Sequence, residues 1–317
     1  MKTPILSICI PTYNRPNLLK ENLLSIIFSG LSPENYELLE IVITDNSDNS
    51  ETVEVIDEIK KIFSNVKYFK NQTNIGAPRN LLKSLDCASG NYLWLMGDDD
   101  LVVFSKIDHV IDKLKKNVYG GVIVNFAQGY GKNPKIITMD NCLNLKNDKV
   151  FVGKNDLFAN EDFINFFALN FMSVLIFKKE YFDKIKNEVD KFDKSCYIQS
   201  YAFLFIAALD RNILRLNDTC VIWRSPTTNR RYDTWQKNEE DIFFQYIEYI
   251  NFAGQIGFVY NKKYLLESIR LKEFNFFYFK KNIWKKQIKD FLVRHKLDTI
   301  FNKFLYFIRY LKYLIKL

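Results

Sequence analysis

Tyr92-Leu-Trp-Leu-Met-Gly-Asp98-Asp99-Asp100 runs apolar for five residues, turns at a glycine and ends in three consecutive carboxylates. The apolar part reads as a strand buried on both faces of a sheet. Such a strand has no internal use for three acids, so they belong at its exposed carboxyl end, where open α/β sheets place ligands. Carboxylates fixed on a rigid edge suit a hard divalent cation, Mg2+ or Mn2+, which takes oxygen ligands and shares them with substrate phosphates. An Asp-rich helix start would give the same triplet, since acids cap free N–H groups and favour the macrodipole. The chain upstream separates these two readings.

Leu6 to Ile10 forms a first strand, stopped by Pro11-Thr12-Tyr13-Asn14-Arg15-Pro16. Pro16 suits the first turn of a helix, with Asn14 or Arg15 near its cap. Leu19, Leu23, Ile26 and Ile27 keep helical spacing, and Gly30 is a natural stop. Leu39 to Thr44 is a second strand, followed by the polar edge Asp45-Asn46-Ser47-Asp48 and a helix over about Thr52 to Phe63. Val66 to Phe69 is a third strand, and Ala77 to Cys87 a helix opened by Pro78. Alternation of this kind specifies a parallel sheet wrapped by helices. Every strand ends in polar residues, so Pro11 to Asn14, Asp45 to Asp48 and Asp98 to Asp100 are expected to converge on one rim.

A cation clamp on such a rim fits a diphosphate. The glycine cradles that often hold phosphate are missing from the sequence, which has no GxxxxGK[ST] and no GxGxxG after the first strand. With phosphates on the ion, the rim is left to hold base and sugar: Asp45 to accept from a ring N–H, Tyr13 to stack.

Four segments then carry a resemblance. Ile8-Cys-Ile-Pro11-Thr12-Tyr13-Asn14-Arg15, Glu40-Ile-Val-Ile-Thr-Asp45-Asn-Ser47, Asn74-Ile-Gly76-Ala-Pro-Arg79-Asn80 and Gly90-Asn-Tyr92 through Asp100 resemble, in order and spacing, the family-2 nucleotide-sugar glycosyltransferases of the GT-A fold. The likeness covers residues 1–110 and thins out afterwards. It implies an α/β, Rossmann-like, mostly parallel sheet flanked by helices, with a C-terminal helical extension. It also implies transfer of a sugar from a nucleoside diphosphate to the hydroxyl of a saccharide or lipid-linked saccharide in surface glycan assembly. By the same resemblance Pro11, Thr12, Tyr13 and Asn14 line the nucleotide pocket, Asp45 pairs with the base ring and Arg79 reaches the nucleotide. The family's metal motif is Asp-x-Asp, whose second acid falls on Asp99 and whose first falls on Gly97. Gly97 carries no ligand, so the expectation is Asp99 on the metal, Asp98 towards the ribose and Asp100 as a second ligand.

Residues 111–235 are expected to form the acceptor half after a nucleotide-sugar-binding half over 1–110. Gly121 to Phe126 and Phe171 to Phe177 read as strands and Ile198 to Leu209 as a helix. Inverting members of the family usually carry Glu-Asp near the start of that helix, the Asp serving as base. Here Tyr197-Ile-Gln199-Ser200-Tyr201 holds no acid; Asp190 and Asp193 are the nearest, and solvated loop acids are the plainer reading of both. A last strand is expected to begin at Val221 and to run into an irregular, donor-rich loop. Family members often have a mobile loop here that closes over the diphosphate and acceptor, which makes Arg224, Arg230 and Arg231 candidates for phosphate contact. His109 and His295 sit in segments that read as surface helices and receive no role.

Two alternatives remain open. A sugar nucleotidyltransferase would want a Gly-rich, basic loop after the first strand, and Pro11 to Pro16 contains no glycine. A non-catalytic scaffold with a nucleotide pocket draws its support from the missing Glu-Asp.

Charge is unevenly placed. Of a formal net +8, residues 262–317 hold 15 Lys and Arg against 4 acids, leaving 30 against 33 in the rest. Residues 236–317 read as a basic, aromatic, helical tail in which Phe304, Phe307, Ile308, Leu311, Leu314 and Ile315 share one arc. This pattern suits an anionic membrane surface, and the aromatics follow an apolar stripe rather than a nucleic-acid groove. Ile5 to Ile10, cut off by Pro11, is too short for a secretory leader's core. Phe163 to Phe177 falls short of the ~20 residues that span a bilayer. Five cysteines, Cys9, Cys87, Cys142, Cys196 and Cys220, show no CxxC pairing. Together these predict a cytoplasmic, reduced setting on the inner membrane face, with no disulfide or zinc framework.

Overall fold

The computed structural model describes residues 3–131, 133–153, 156–157, 169–209 and 211–225, with 248–249, 252–253 and 255. In its first half, strands β1 (Leu6–Thr12), β2 (Leu39–Asp45), β3 (Val66–Lys70) and β4 (Tyr92–Leu95) alternate with helices α1 (Pro16–Ile27), α3 (Glu51–Lys60) and α4 (Ala77–Asp86). A single turn, α2 (Pro33–Tyr36), precedes β2, its start capped by Ser32. The strands order β3-β2-β1-β4, all parallel. Right-handed crossovers then put α1 and α3 on one face and α4 on the other. Each helix turns an apolar stripe inward: Leu19, Leu23 and Ile26 from α1, Val55, Ile56 and Ile59 from α3, Leu81, Leu82 and Leu85 from α4. With both faces covered, β2 is buried along its whole length, which is why its sequence is a continuous β-rich run rather than an alternating one.

Beyond β4 the sheet is no longer mostly parallel. Strands β5 (Leu101–Val102), β6 (Gly121–Tyr130), β7 (Asn133–Met139), β8 (Lys149–Phe151), β9 (Leu175–Lys178) and β10 (Ile213–Ser225) extend it in the order β4-β9-β6-β10-β5, with β7 on β6 and β8 on β10. β9 runs antiparallel to both β4 and β6, and among the described strands of this half only β6 and β10 pair in parallel. Helices α5 (Lys106–Leu114), α6 (Lys179–Val189) and α7 (Ile198–Ala208) accompany this half. One sheet therefore joins the two expected halves, and their boundary near residue 110 falls inside α5.

Two elements differ from the sequence reading. The strand expected over Phe171 to Phe177 begins as a 3-10 turn, Met172–Val174, and becomes β9 only at Leu175. The last strand starts eight residues before the expected Val221, because register shifts near Thr219 absorb the polar Asn217-Asp218-Thr219 inside it. The expected tail over 236–317 lies outside the described residues except at 248–249, 252–253 and 255.

Candidate active site

The three expected polar edges meet at the carboxyl rim of β1, β2 and β4. Asn14 has φ +52, a left-handed conformation that Asn tolerates better than most residues. Its N–H donates to Ser47 Oγ at 2.8 Å and its Oδ1 accepts from Asp48 N at 3.3 Å, latching the first turn to the second. Asn80 of α4 donates to the carbonyls of Thr12 at 3.3 Å and Thr44 at 3.0 Å, binding the ends of β1 and β2 together. Asp45 is fully buried: Oδ1 accepts from Ser47 N and Oδ2 from the Tyr68 hydroxyl, each at 2.7 Å. That hydrogen bond and burial push the Tyr68 phenol well above its usual range, burial being the larger cause. Tyr13 lies on the same rim, its hydroxyl 3.4 Å from Asp48.

The acid triplet forms a tight turn rather than a helix start. Asn22, a polar residue on the buried stripe of α1, donates to the carbonyls of Gly97 at 3.2 Å and Asp100 at 2.7 Å. Ser173, from the 3-10 turn, accepts from Gly97 N at 2.9 Å and donates to Asp100 Oδ2. Trp94 Nε1 fixes Ser173 in turn, donating to its carbonyl at 2.8 Å. Gly97 is needed for closeness: a Cβ there would lie 2.9 Å from Asp100 Oδ2 and 3.2 Å from Asp99 Oδ1. An Asp at this position, as in the family motif, would push the neighbouring carboxylates apart.

The three acids are not equivalent. Asp100 is buried and both its oxygens are engaged, Oδ2 by Ser173 and Oδ1 by the Arg224 backbone N–H at 3.2 Å. Asp98 is buried too, taking Thr12 Oγ1 at 2.7 Å on Oδ2 and Arg15 Nη1 at 3.2 Å on Oδ1. The Asp99 side chain is 37% exposed and meets the same Arg15 nitrogen at 3.3 Å. Burial, reinforced by the Asp99 charge, pushes the Asp98 carboxyl up to about 6 against the pull of Arg15 and Thr12. The same two causes hold Asp100 well above the usual carboxylate range. Arg15 itself stays firmly charged, because the Asp98 and Asp99 carboxylates outweigh its own partial burial.

Could this rim hold a divalent ion? Among the described residues, no three or more His, Cys, Asp or Glu side chains are arranged to hold a metal by themselves. Asp99 is open and one oxygen of Asp98 stands beside it. Both are hard oxygen donors, and Mg2+ or Mn2+ is commonly bound by one or two carboxylates plus substrate phosphates. The residues fit an ion that arrives with, or is completed by, a diphosphate. Asp100, expected as a second ligand, has its oxygens committed to the turn.

The acceptor side is less concentrated. Arg224, expected on the diphosphate, instead straps the turn: Nε donates to the Asp99 carbonyl at 2.9 Å, Nη1 to the Gly131 carbonyl at 3.2 Å, and Nη2 to Glu21. Arg230 and Arg231 lie outside the described residues. Asp190 opens a 3-10 turn and Asp193 follows it. Asp193 accepts from Arg79 Nε at 2.8 Å and Nη2 at 2.5 Å, so the structure brings the acceptor-side acid to the nucleotide-side arginine. At the start of α7, where the family's acid would stand, Gln199 and Ser200 are buried on the backbone carbonyls of Asn170 and Leu169.

Arg15, Asn22, Asn80 and Ser173 carry much of this geometry without having been singled out for it. Asn22 left a trace in the sequence, a polar side chain interrupting the i, i+3, i+4, i+7 stripe of Leu19, Leu23 and Ile26. Ser173 left none, since only the tertiary fold brings it beneath the triplet.

Comparison with known proteins bears on the same stretch. A family model described as glycosyl transferase family 2 matches residues 7–210. The abequosyltransferase RfbV of Salmonella typhimurium is 40% identical over 98 residues, which cover 30% of this chain and 28% of that protein. A GalNAc(5)-diNAcBac-PP-undecaprenol beta-1,3-glucosyltransferase of Campylobacter jejuni is 29% identical over 125 residues, 38% of this chain and 39% of that protein. The chain thus matches well under half the length of either relative. The crystal structure of S. aureus TarS 1-349 in complex with UDP-GlcNAc superposes with a TM-score of 0.62 at 15% identity, covering 90% of this chain and 79% of that one, a likeness of fold.

Proposed function

Because the chain belongs to glycosyl transferase family 2, we propose that it moves a sugar from a nucleoside-diphosphate sugar to a hydroxyl of a saccharide or lipid-linked saccharide, in the assembly of a surface glycan. The observation that carries this reading is the rim itself, where Thr12, Arg15, Asp98 and Asp99 converge beside the latched turns of Asn14 and Asp45. The relatives' names supply the acceptor class: one acts on a saccharide attached to PP-undecaprenol.

In the proposed reaction the nucleotide lies along Pro11, Thr12, Tyr13 and Asn14, with Tyr13 against the base and Arg79 reaching in from α4. Asp45 is buried behind them, and its base-pairing role requires a ring N–H to share an oxygen with Tyr68 or Ser47. Asp99, with Asp98 beside it, would hold Mn2+ or Mg2+, which when bound supplies positive charge against the departing diphosphate. Asn22, Ser173 and Arg224 keep the turn fixed, so the carboxylates need no reorganisation during transfer. Asp193, which meets Arg79 of the donor half, is the proposed first choice for deprotonating the acceptor hydroxyl, ahead of Asp190. The charge of residues 262–317 supports peripheral contact with an anionic membrane, matching a lipid-linked acceptor.

Gln199 and Ser200, standing where an inverting enzyme of the family usually carries its acid, favour the second reading, a non-catalytic scaffold that keeps the nucleotide pocket. Incubating the purified protein with a panel of nucleotide sugars, in Mn2+ or in EDTA, separates the two. Metal-dependent release of nucleoside diphosphate is expected; tight nucleotide binding without donor turnover would establish the scaffold.

A further inference from the structure

Arg15 stands at a junction the chain leaves little freedom to vary. Asn14 before it is left-handed, Pro16 after it begins α1, and Arg15 itself takes φ −134 and ψ 51, outside the helix, as a residue ahead of proline should. Its carbonyl accepts the first turn of α1 from Leu19 N at 3.0 Å. From this anchored backbone the side chain crosses to the acid turn, where a single nitrogen, Nη1, lies 3.2 Å from Asp98 Oδ1 and 3.3 Å from Asp99 Oδ2.

These oxygens are the ones a metal needs. Asp98 Oδ2 is held by Thr12, and both Asp100 oxygens are held by Ser173 and the Arg224 backbone. The positions left for a cation on this turn are Asp98 Oδ1 and the Asp99 carboxylate, and Arg15 bridges the two. A guanidinium does not lose its proton in proteins, so it cannot yield by deprotonating; it can leave only by moving. It also prefers planar anions that accept two parallel bonds, such as a phosphate.

Resting on the reading of the rim as a metal-diphosphate site, we propose that Arg15 is a displaceable resident cation. It occupies the metal position of the free protein, competes with the divalent ion for Asp98 and Asp99, and is drawn off by the incoming diphosphate, so that metal and nucleotide load together. Without it the acid turn would face its own repulsion alone; with it, metal binds weakly until a diphosphate gives the guanidinium a better partner. Arg15 acts here on the ion's position, as a positioning residue.

Manganese binding to the full chain, followed by electron paramagnetic resonance with no nucleotide present, tests this. Arg15→Gln is expected to bind Mn2+ roughly tenfold more tightly than the wild type, as loss of a neighbouring unit charge implies, and to melt at a lower temperature in EDTA. Arg15→Lys, which keeps the charge, should stay within a few-fold of the wild type. Arg15→Met repeats the measurement should the Gln variant not fold. Equal or weaker manganese binding by the neutral variants would overturn the competition, as would an absence of binding in every form. Donor turnover is scored separately: turnover without any manganese binding would overturn this inference and leave the transferase reading intact, whereas the expected manganese shift without turnover would do the reverse.

Discussion

The two ends of the parallel strands each bury carboxylates and treat them in opposite ways. At the amino end Glu40, 1% exposed, accepts from Ser7 Oγ at 2.5 Å, Ser89 N at 2.8 Å and Ser89 Oγ at 2.7 Å, and pairs with Lys67 at 2.5 Å. Those partners come from β1, β3 and the lead-in to β4, so one side chain staples four strands. Gly90 makes room for it, since a Cβ there would sit 2.6 Å from Ser7 Oγ. Burial would push the Glu40 carboxyl up, but the bonds from Lys67, Ser7 and Ser89 outweigh it and hold it below its usual value. At the carboxyl end Asp98 has one guanidinium, shared with Asp99, and the Thr12 hydroxyl, while Asp100 is held by the neutral donors Ser173 and the Arg224 backbone; both are pushed up by burial and by Asp99. A satisfied buried acid stabilises the fold. An under-compensated one, kept on a rim, stores an affinity for cations that a ligand can use.

The comparison breaks most sharply at Asp99. Asp99→Asn removes the open carboxylate while leaving the bonds of Asn22, Ser173 and Arg224 to the turn in place. Donor turnover is expected to fall about a thousandfold, roughly 4 kcal/mol of barrier, with a melting temperature close to the wild type. Full turnover, or a variant unfolded by circular dichroism, would move Asp99 from the site to the scaffold.

Glu40→Ala should do the converse. Removing four acceptor interactions from a buried position, with Ser7 Oγ and the backbone behind it left to find new partners, is expected to cost about 3 kcal/mol of stability in urea. Turnover per folded molecule should stay unchanged, because no part of Glu40 faces the rim. A stable but inactive Glu40→Ala would mean that the two ends are mechanically coupled.

A smaller effect separates the ends by sign. Glu40 titrates lower in the folded state than in the unfolded chain, so its contribution is complete above about pH 4.3 and is lost as the pH falls below that. Asp98 titrates higher when folded, so the metal-free protein is favoured below about pH 4 and loses that advantage as the pH rises through about 6. Asp98→Asn is therefore expected to exceed the wild type in stability at pH 7 in EDTA, by on the order of 1–2 kcal/mol, and to lose the margin by pH 4. For Glu40→Gln the deficit should be largest at pH 7 and shrink in acid. Urea melts of both variants at several pH values decide it, and slopes of the same sign would undo the contrast.

How much of this was legible beforehand follows from which interactions leave a local signal. The four parallel strands and their helices did, through apolar runs and helical spacing, and the acid triplet did because it ends an apolar run abruptly. Glu40 and Asn22 left fainter signals, each a polar residue in an apolar pattern. The antiparallel half of the sheet was less readable: Asn217-Asp218-Thr219 hides the middle of β10, and the turn that positions Ser173 lies within an apolar run that reads as strand. Arg224 announced a charge but not its target, since its partners Glu21, Asp99 and Gly131 come from separate parts of the chain. Arg79 and Asp193 are 114 residues apart, and no pattern links them before the chain folds.

That last pair belongs to neither end. Arg79 is 63% exposed along its side chain and Asp193 23%, so the bond resembles a surface ion pair more than the Glu40 staple. Asp193→Asn should accordingly change stability by less than about 1 kcal/mol. What it does to catalysis decides where the pair belongs. As the base, Asp193 has to release Arg79 when the nucleotide arrives and turn to the acceptor, so its loss should lower transfer to an acceptor much more than slow donor hydrolysis by water. If both rates fall by the same modest factor while nucleotide affinity changes, Asp193 serves only to orient Arg79, and the base has to be sought elsewhere on the acceptor side.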